Sequence, residues 1–260
     1  MKTKTVIFAD LDGTFLDDNY GCQDTKPIVS QLAALGSSIV FCSSKTKSEI
    51  EFYRKAVGIN EPFIAENGAA IFIPKNYFPF NYACTKTARY NIIRLGASYA
   101  TLREKLAQIK QKTATKIVGF GDMTHEEVAK DAGLTLKLAK LAKKREHDEP
   151  FRIVEGNKKS VLNAIKNEGL NCTEGGRYFH LTGKTDKGRA VAILKDLYCH
   201  MFSKIVTFGI GDGPNDLPML KVVDKPFFIK KSIGSNSSLI AWKGIMQLAG
   251  AKAFLYNAKL

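Results

Sequence analysis

Cysteine, tryptophan and long apolar runs are all scarce in this sequence of 260 residues. The five cysteines form no Cys-x-x-Cys pair and the four histidines show no ligand spacing, which argues against a zinc site and a disulfide framework. A bilayer-spanning helix needs about 20 consecutive apolar residues, and no run approaches that length. Residues 1–5 lead directly into a short apolar strand, so no secretion signal is predicted. We expect a cytoplasmic protein with free thiols and no contact with a membrane.

Acidic residues are outnumbered, because 25 Asp and Glu stand against 39 Lys and Arg and leave a net charge of +14. Such an excess suits a nucleic acid, an anionic membrane surface or small anionic substrates. The basic residues are densest over 130–145, where they interleave with apolar residues in a pattern typical of an amphipathic helix with a solvated face. No recognised nucleic-acid-binding module accompanies them. We therefore expect a small anionic substrate and no nucleic acid.

Short apolar strands alternate with helical segments toward both ends of the chain. Strands are predicted over 5–9, 38–42 and 205–210, and a helix that begins after Thr25 separates the first two. Because a strand–helix–strand unit forms a right-handed crossover, this order predicts a parallel sheet. The segment 66–68, between two apolar runs, is typical of a hairpin turn.

The middle of the chain, residues 82–182, has helical patterns of its own. Helices are predicted there over 90–111, 124–132, 134–144 and 158–168. Similar strand and helix patterns lie on both sides of this region. We therefore predict a discontinuous α/β domain, residues 1–81 and 183–260, into which a second α/β domain is inserted.

Two acidic turns follow two of the predicted strands. Asp10 and Asp12 come directly after the first strand, and Asp212 comes directly after the strand over 205–210. Ligands of parallel sheets bind beyond the carboxyl ends of the strands, so the three carboxylates would surround one point. Carboxylates that meet repel one another unless a cation lies between them, and Mg²⁺ favours such hard oxygen ligands.

The order of these segments resembles the haloacid dehalogenase superfamily of phosphotransferases. Its four motifs match Asp10–Thr14, the hydroxyl of Ser43 after the second strand, Lys187 at the start of a helix, and Gly211–Asp216. The resemblance implies a parallel-sheet, Rossmann-like core. The long insertion between the second and third motifs resembles the sugar phosphatases of this superfamily, which have a large α/β cap.

The resemblance also implies roles for the residues of the motifs. Asp10 would attack phosphorus and become an aspartyl-phosphate, and Asp12 would protonate the leaving oxygen and then deprotonate water. Mg²⁺ would be held by Asp10, Asp212 and the backbone carbonyl of Asp12. Ser43 and Lys187 would donate to the phosphate oxygens. The last motif supplies two further candidates that would orient the metal's waters and the loop, Asn215 and Asp216.

Several segments within and outside the four motifs resemble the mannosyl-3-phosphoglycerate phosphatase family. They are Ser43–Thr46, Pro62–Pro74, Gly119–Thr124 followed by Glu126–Ala129, Arg145 with Glu149–Phe151, Arg177–His180 and Asp186–Gly188. This second resemblance implies hydrolysis of 2-O-mannosyl-3-phosphoglycerate, a step in the synthesis of a compatible solute. The candidate substrate-binding residues are Ser44, Lys45, Asp122, Met123, Thr124, Glu149, Arg177, His180 and Asn215.

Alternatives remain open at this point. Thr124 with Glu127 has the spacing of a capping box, Ser44 would also suit a helix cap, and Arg177 would also suit an exposed surface. The alternative substrates are glucosyl-3-phosphoglycerate and other sugar phosphates. A non-enzymatic basic binding protein would be expected to lack the nucleophile or the acid, yet Asp10 and Asp12 are both present. Both a monomer and a homodimer are compatible with the sequence.

Overall fold

A computed structural model describes residues 3–175, 177–230 and 237–257 of the protein. The strands are β1 (Lys4–Ala9), β2 (Ser38–Phe41), β3 (Phe63–Ala65), β4 (Ala70–Pro74), β5 (Thr85–Lys86), β6 (Tyr90–Arg94), β7 (Lys116–Gly119), β8 (Asp148–Glu155), β9 (Asn171–Glu174), β10 (Phe179–Thr182), β11 (Ile205–Gly211) and β12 (Lys225–Phe228). The helices are α1 (Lys26–Ala34), α2 (Lys47–Val57), α3 (Tyr99–Thr113), α4 (His125–Ala132), α5 (Leu136–Ala142), α6 (Lys158–Asn167), α7 (Lys187–Met201), α8 (Leu217–Val222) and α9 (Ser237–Asn257).

The first sheet is parallel, as the sequence predicted, with the strand order β12-β11-β1-β2. The side chains of β1 alternate between two buried faces: Ile7 packs in a cluster with Trp242, and Phe8 packs in a second cluster with Leu194. The chain passes from β1 to β2 on one side and from β11 to β12 on the other. The carboxyl ends of β1 and β11 therefore form a topological switch point, where ligands of open α/β sheets bind.

A second sheet is antiparallel, with the order β3-β4-β6-β5. The predicted hairpin turn joins β3 to β4, and its residues Glu66, Asn67 and Gly68 have φ angles of 51°, 57° and 89°. The helix predicted over 90–111 is wrong at its start, because residues 90–94 form β6 and α3 begins only at Tyr99. Alternate residues of β6 are buried, a period of two that excludes a helix there.

The third sheet is also antiparallel, with the order β7-β8-β10-β9, and α3 and α6 pack on it. Its cluster of buried side chains contains Leu106, Phe151 and Leu181. The predicted boundaries at 82 and 183 stay predictions. Because β6 pairs with β4 rather than with this third sheet, we propose that the first boundary follows residue 94. Among the described helices, none combines the length and the apolar character that a membrane span requires.

Candidate active site

Three carboxylates meet at the switch point. Asp10 follows β1 and Asp212 follows β11, and the two strand ends are joined by a hydrogen bond of 3.0 Å from the Asp10 backbone N–H to the Ile210 carbonyl. Asp216 ends a short 3₁₀ turn after Asp212. The carboxylates of Asp10, Asp212 and Asp216 each offer an oxygen within 4.8 Å of the others. An all-oxygen, partly buried set of this kind can hold a divalent cation.

Lys187 lies beneath this acidic cluster at the first position of α7. Its buried Nζ donates to Asp10 Oδ1 at 2.7 Å and to Asp216 Oδ1 at 2.5 Å. Burial raises the pKa of Asp10 to about 8, and the positive charge of Lys187 opposes that shift. Burial alone would lower the pKa of Lys187, but the charges of Asp10 and Asp216 raise it overall. The lysine is therefore the cation that compensates the buried nucleophile candidate.

The two oxygens of Asp216 are both engaged by the protein. Oδ1 accepts from Lys187 at 2.5 Å, and Oδ2 accepts from the backbone N–H groups of Asp212 at 3.0 Å and Gly213 at 2.9 Å. These bonds shape the loop that carries Asp212. Asp10 and Asp212 line the cavity above the cluster, whereas Asp216 does not. The expectation that Asp216 orients the loop and the metal's waters stays a prediction, and its carboxylate belongs to the acidic cluster as well.

The other predicted core residues surround the same strand ends. Asp12 lies 2.9 Å from Lys45 Nζ in an ion pair and lines the cavity. Ser43 is buried at the end of β2, where its hydroxyl accepts from the Lys45 N–H at 3.3 Å. Ser44 lines the cavity and does not cap the next helix, because Thr46 makes the capping box of α2. Neither Ser43 nor Lys187 lines the cavity, because both side chains are buried beneath the residues that do. Their contact with a phosphate stays a prediction.

The cavity has a volume of about 630 Å³ and lies between the strand ends and the region of the third sheet. On the side of the parallel sheet it is lined by Asp10, Asp12, Lys45, Asp212 and Asn215. On the side of the third sheet it is lined by Phe120, Arg145, Arg177, Tyr178 and His180. A cavity of this size with a few convergent polar groups is typical of a small-molecule site.

Comparison with known proteins assigns the family. The family model for haloacid dehalogenase-like hydrolases matches residues 7–234. The chain belongs to this hydrolase family. A glucosyl-3-phosphoglycerate/mannosyl-3-phosphoglycerate phosphatase of Methanococcoides burtonii is 45% identical over 95% of this chain and 92% of its own length. A mannosyl-3-phosphoglycerate phosphatase of Pyrococcus horikoshii is 38% identical over 86% of this chain and 90% of its own length.

Solved structures confirm the fold of this hydrolase. A Thermoplasma acidophilum protein superposes with a TM-score of 0.64 at 20% sequence identity, over 95% of this chain and 99% of that chain. The superfamily resemblance and the α/β fold with a parallel-sheet core, both expected from the motifs, are thereby confirmed.

Four of the predicted substrate-binding residues lie outside the cavity lining. Glu149 accepts from Arg103 at 2.7 Å, from the Tyr99 hydroxyl at 2.6 Å and from the Gly121 N–H at 3.0 Å. Asp122 accepts from the same arginine at 2.5 Å. These bonds hold the 119–123 segment against α3.

The other two, Met123 and Thr124, precede α4. Met123 packs in a buried cluster, and Thr124 makes the capping box with Glu127 that the sequence also suggested. Substrate roles for Asp122, Met123, Thr124 and Glu149 stay predictions. Of the candidates from the insertion, the structure brings Arg177 and His180 to the cavity.

Arg145 and Asn67 contact residues of the site and were not among the sequence candidates. The Arg145 side chain, 5% exposed, donates from Nη1 to the Ser44 carbonyl at 2.7 Å and from Nε to the Ala142 carbonyl at 2.9 Å. The buried Asn67, in the hairpin turn, bonds to Asn215 and to Asp148. The sequence signal for each was local: Arg145 ends a basic segment, and Asn67 belongs to a turn. Neither pattern indicated a long-range contact.

Proposed function

We propose that the protein is a Mg²⁺-dependent phosphomonoester hydrolase that acts on mannosyl-3-phosphoglycerate and glucosyl-3-phosphoglycerate. The observation that carries the proposal is the buried carboxylate of Asp10, held 2.7 Å from Lys187 at the floor of a cavity of about 630 Å³. The substrate class is supported by relatives named glucosyl-3-phosphoglycerate/mannosyl-3-phosphoglycerate phosphatase at 45% identity.

The proposed chemistry has two steps. An oxygen of Asp10 forms a bond to phosphorus while the bond from phosphorus to the glycerate oxygen breaks, and Asp12 gives its proton to that leaving oxygen. In the second step water attacks the phosphorus, Asp12 takes the water's proton, and the bond between Asp10 and phosphorus breaks. Lys187 and the Ser43 hydroxyl would donate to the phosphoryl oxygens.

Asp10, Asp212 and the backbone carbonyl of Asp12 would hold the cation. A bound Mg²⁺ would neutralise charge on the phosphoryl group and on the crowded carboxylates. Asp216 would keep the Asp212 loop in place through its two backbone hydrogen bonds. The clustering of three carboxylates within 4.8 Å supports this assignment, because their mutual repulsion falls when a cation binds.

The cavity also suits a substrate with a second negative charge. Both proposed substrates carry a phosphate and a glycerate carboxylate. Lys45, Arg145 and Arg177 are the cations of a lining that also contains six carboxylates, and Arg145 and Arg177 lie on the side of the third sheet, opposite the acidic cluster. The net charge of +14 would raise the local concentration of such an anion. A place in osmolyte synthesis and a cytoplasmic location follow from the proposed substrate and are proposals with it.

The proposal is tested by the release of phosphate in the presence of Mg²⁺. The substrates are mannosyl- and glucosyl-3-phosphoglycerate, with sucrose-6-phosphate and mannose-6-phosphate as comparisons and Asp10→Asn as the blank. We expect turnover of both phosphoglycerate esters well above that of the sugar phosphates, abolished in the variant. Activity only on other esters would contradict the proposed substrate. No release from any ester would favour a basic binding protein.

A further inference from the structure

Asp148 is a buried carboxylate at the start of β8, and it bonds to two side chains that lead to the cavity. It accepts from Asn67 Nδ2 at 2.9 Å, and the Nδ1 of His180 lies 2.9 Å from its Oδ2 and 3.1 Å from its Oδ1. The guanidinium of Arg145, at 3.7 Å, compensates its charge. Asp148 itself does not line the cavity.

A carboxylate only accepts hydrogen bonds, so Nδ1 of His180 is the donor to Asp148. In a ring that carries a single proton, Nε2 is then an acceptor. His180 lines the cavity, and its Nε2 lies beside Gly175, another lining residue, where an added Cβ would come within 3.0 Å. His180 Nε2 is therefore adjacent to the backbone of a residue that lines the cavity.

The same reasoning fixes two side-chain amides. Asn67 must turn its Nδ2 toward Asp148, which leaves its Oδ1 to accept from Asn215 Nδ2 at 3.0 Å. Asn215 consequently turns its own Oδ1 away from Asn67. That oxygen lies over Gly213, where an added Cβ would be 2.5 Å away, and both residues line the cavity.

We infer that Asp148 is a positioning residue that presents two hydrogen-bond acceptors, Nε2 of His180 and Oδ1 of Asn215, to the cavity. Two fixed acceptors match hydroxyl groups, which are donors, so the site selects a phosphate ester that carries free hydroxyls. This inference rests on the proposed function and adds the basis on which the hydrolase discriminates between esters. A buried site that accepts a hydrogen bond from a substrate hydroxyl disfavours an ester that lacks the hydroxyl, because the acceptor is then left unpaired.

The test uses Asp148→Asn, because His180 Nδ1 lies close to both carboxylate oxygens, at 2.9 Å and 3.1 Å, so an amide at this position places a donor against that nitrogen in either orientation. The Nδ1–H tautomer is then no longer imposed on His180. Glu168→Gln, on the surface of the same region, is the matched control; Glu168 pairs with Lys105 and does not line the cavity. KM and kcat are measured for glucosyl-3-phosphoglycerate and for p-nitrophenyl phosphate, which has no sugar hydroxyls.

We expect KM for the sugar ester to rise by about tenfold or more in Asp148→Asn, while kcat/KM for p-nitrophenyl phosphate changes by less than about threefold. Equal losses on both esters would overturn the inference, since they would indicate a merely structural role. The control variant should leave both substrates unchanged.

A spectroscopic readout makes the test independent of activity. Long-range proton–nitrogen spectra of the histidine-labelled protein report which ring nitrogen of His180 is protonated, and His180→Phe identifies the signal. We expect an Nδ1–H tautomer in the wild-type protein, and either an Nε2–H tautomer or a ring protonated at both nitrogens would overturn the inference. If the wild-type protein hydrolysed p-nitrophenyl phosphate but no sugar phosphoglycerate, the proposed substrate would be wrong while the tautomer would still decide the role of Asp148.

Asp148 is buried, so the Asp148→Asn variant could misfold, and circular dichroism detects misfolding. Gly175→Ala then replaces it, because the new Cβ would come within 3.0 Å of His180 Nε2 and crowd the acceptor without changing Asp148. We expect the same selective rise in KM for the sugar ester. An unchanged KM in a folded Gly175→Ala protein would contradict the inference.

Discussion

Lys187 and Asp10, separated by 177 positions in the chain, are joined by a hydrogen bond of 2.7 Å between Nζ and Oδ1. The contact forms because β1 ends and α7 begins at the same edge of the parallel sheet. Lys187 is fully buried and also contacts Asp216. Its positive charge therefore reduces the repulsion between the two buried carboxylates. Removal of that charge should lower the free energy of unfolding as well as the turnover.

Lys187→Met should strongly destabilise the metal-free protein. The substitution leaves the Asp216 carboxylate buried without its cation, and breaking a buried ion pair costs about 3–5 kcal/mol. Urea unfolding in EDTA, followed by circular dichroism, measures the change. Lys195→Met is the control, because Lys195 pairs with Asp224 at a partly exposed position and should cost less than about 1 kcal/mol. Similar losses in the two variants would argue against the compensating role of Lys187.

Asp10→Asn should abolish turnover without destabilising the fold. Loss of the nucleophile is expected to lower kcat by more than about a thousandfold. Burial raises the pKa of Asp10 to about 8, so its ionised form is disfavoured in the metal-free protein. The neutral amide should leave the thermal midpoint in EDTA unchanged or higher. Asp24→Asn, at an exposed position, should keep full activity; residual turnover in Asp10→Asn comparable to that control would exclude Asp10 as the nucleophile.

The parallel sheet and its acidic edge could be predicted from the sequence because both depend on local patterns. A short apolar strand followed by Asp10 and Asp12 is visible in a few consecutive residues. The rule that ligands bind beyond strand ends then brings Asp212 to the same place. No knowledge of side-chain packing is needed for that step.

The contacts of the insertion could not be predicted in the same way. Asn67 and Asp148 bond across 81 positions, and their meeting depends on how the third sheet lies against the hairpin turn. Glu149, on β8, was predicted to bind the substrate, but its carboxylate accepts a hydrogen bond from Arg103 on α3, a contact that no local pattern indicates. Strand β6 was missed because the periodicity of residues 90–94 is too short to distinguish from a helix start.

Glu66 should make the protein less stable as the pH rises toward neutrality. Burial raises its pKa to about 7, although Arg145 and the backbone N–H groups of Glu146 and His147 oppose the shift. The folded protein therefore holds this proton more tightly than the unfolded chain does. The contribution of Glu66 to the free energy of unfolding should fall between about pH 4.5 and pH 7, by at most about 3 kcal/mol; Asp10, whose pKa burial raises to about 8, adds a further loss that continues above pH 7.

The measurement is urea unfolding of the wild-type protein and of Glu66→Gln across this pH range. The variant should show a flatter profile, because its amide does not titrate. Glu155→Gln, an exposed carboxylate of the same charge, is the control and should retain the wild-type slope. A slope that persists unchanged in Glu66→Gln would assign the effect to another group.

Removal of the metal should have an effect that depends on Asp212. A cation that binds only the folded protein stabilises it by about 2.7 kcal/mol at a concentration one hundred times its dissociation constant. We therefore expect Mg²⁺ to raise the thermal midpoint of the wild-type protein and EDTA to abolish both that rise and phosphate release.

Asp212→Asn weakens the oxygen set at the carboxyl end of β11 and should lose most of the Mg²⁺-dependent shift. Asp224→Asn removes a carboxylate from the same sheet, where it accepts from Lys195 at 3.0 Å, and should keep the full shift. A Mg²⁺ response of equal size in the two variants would place the cation away from the acidic cluster.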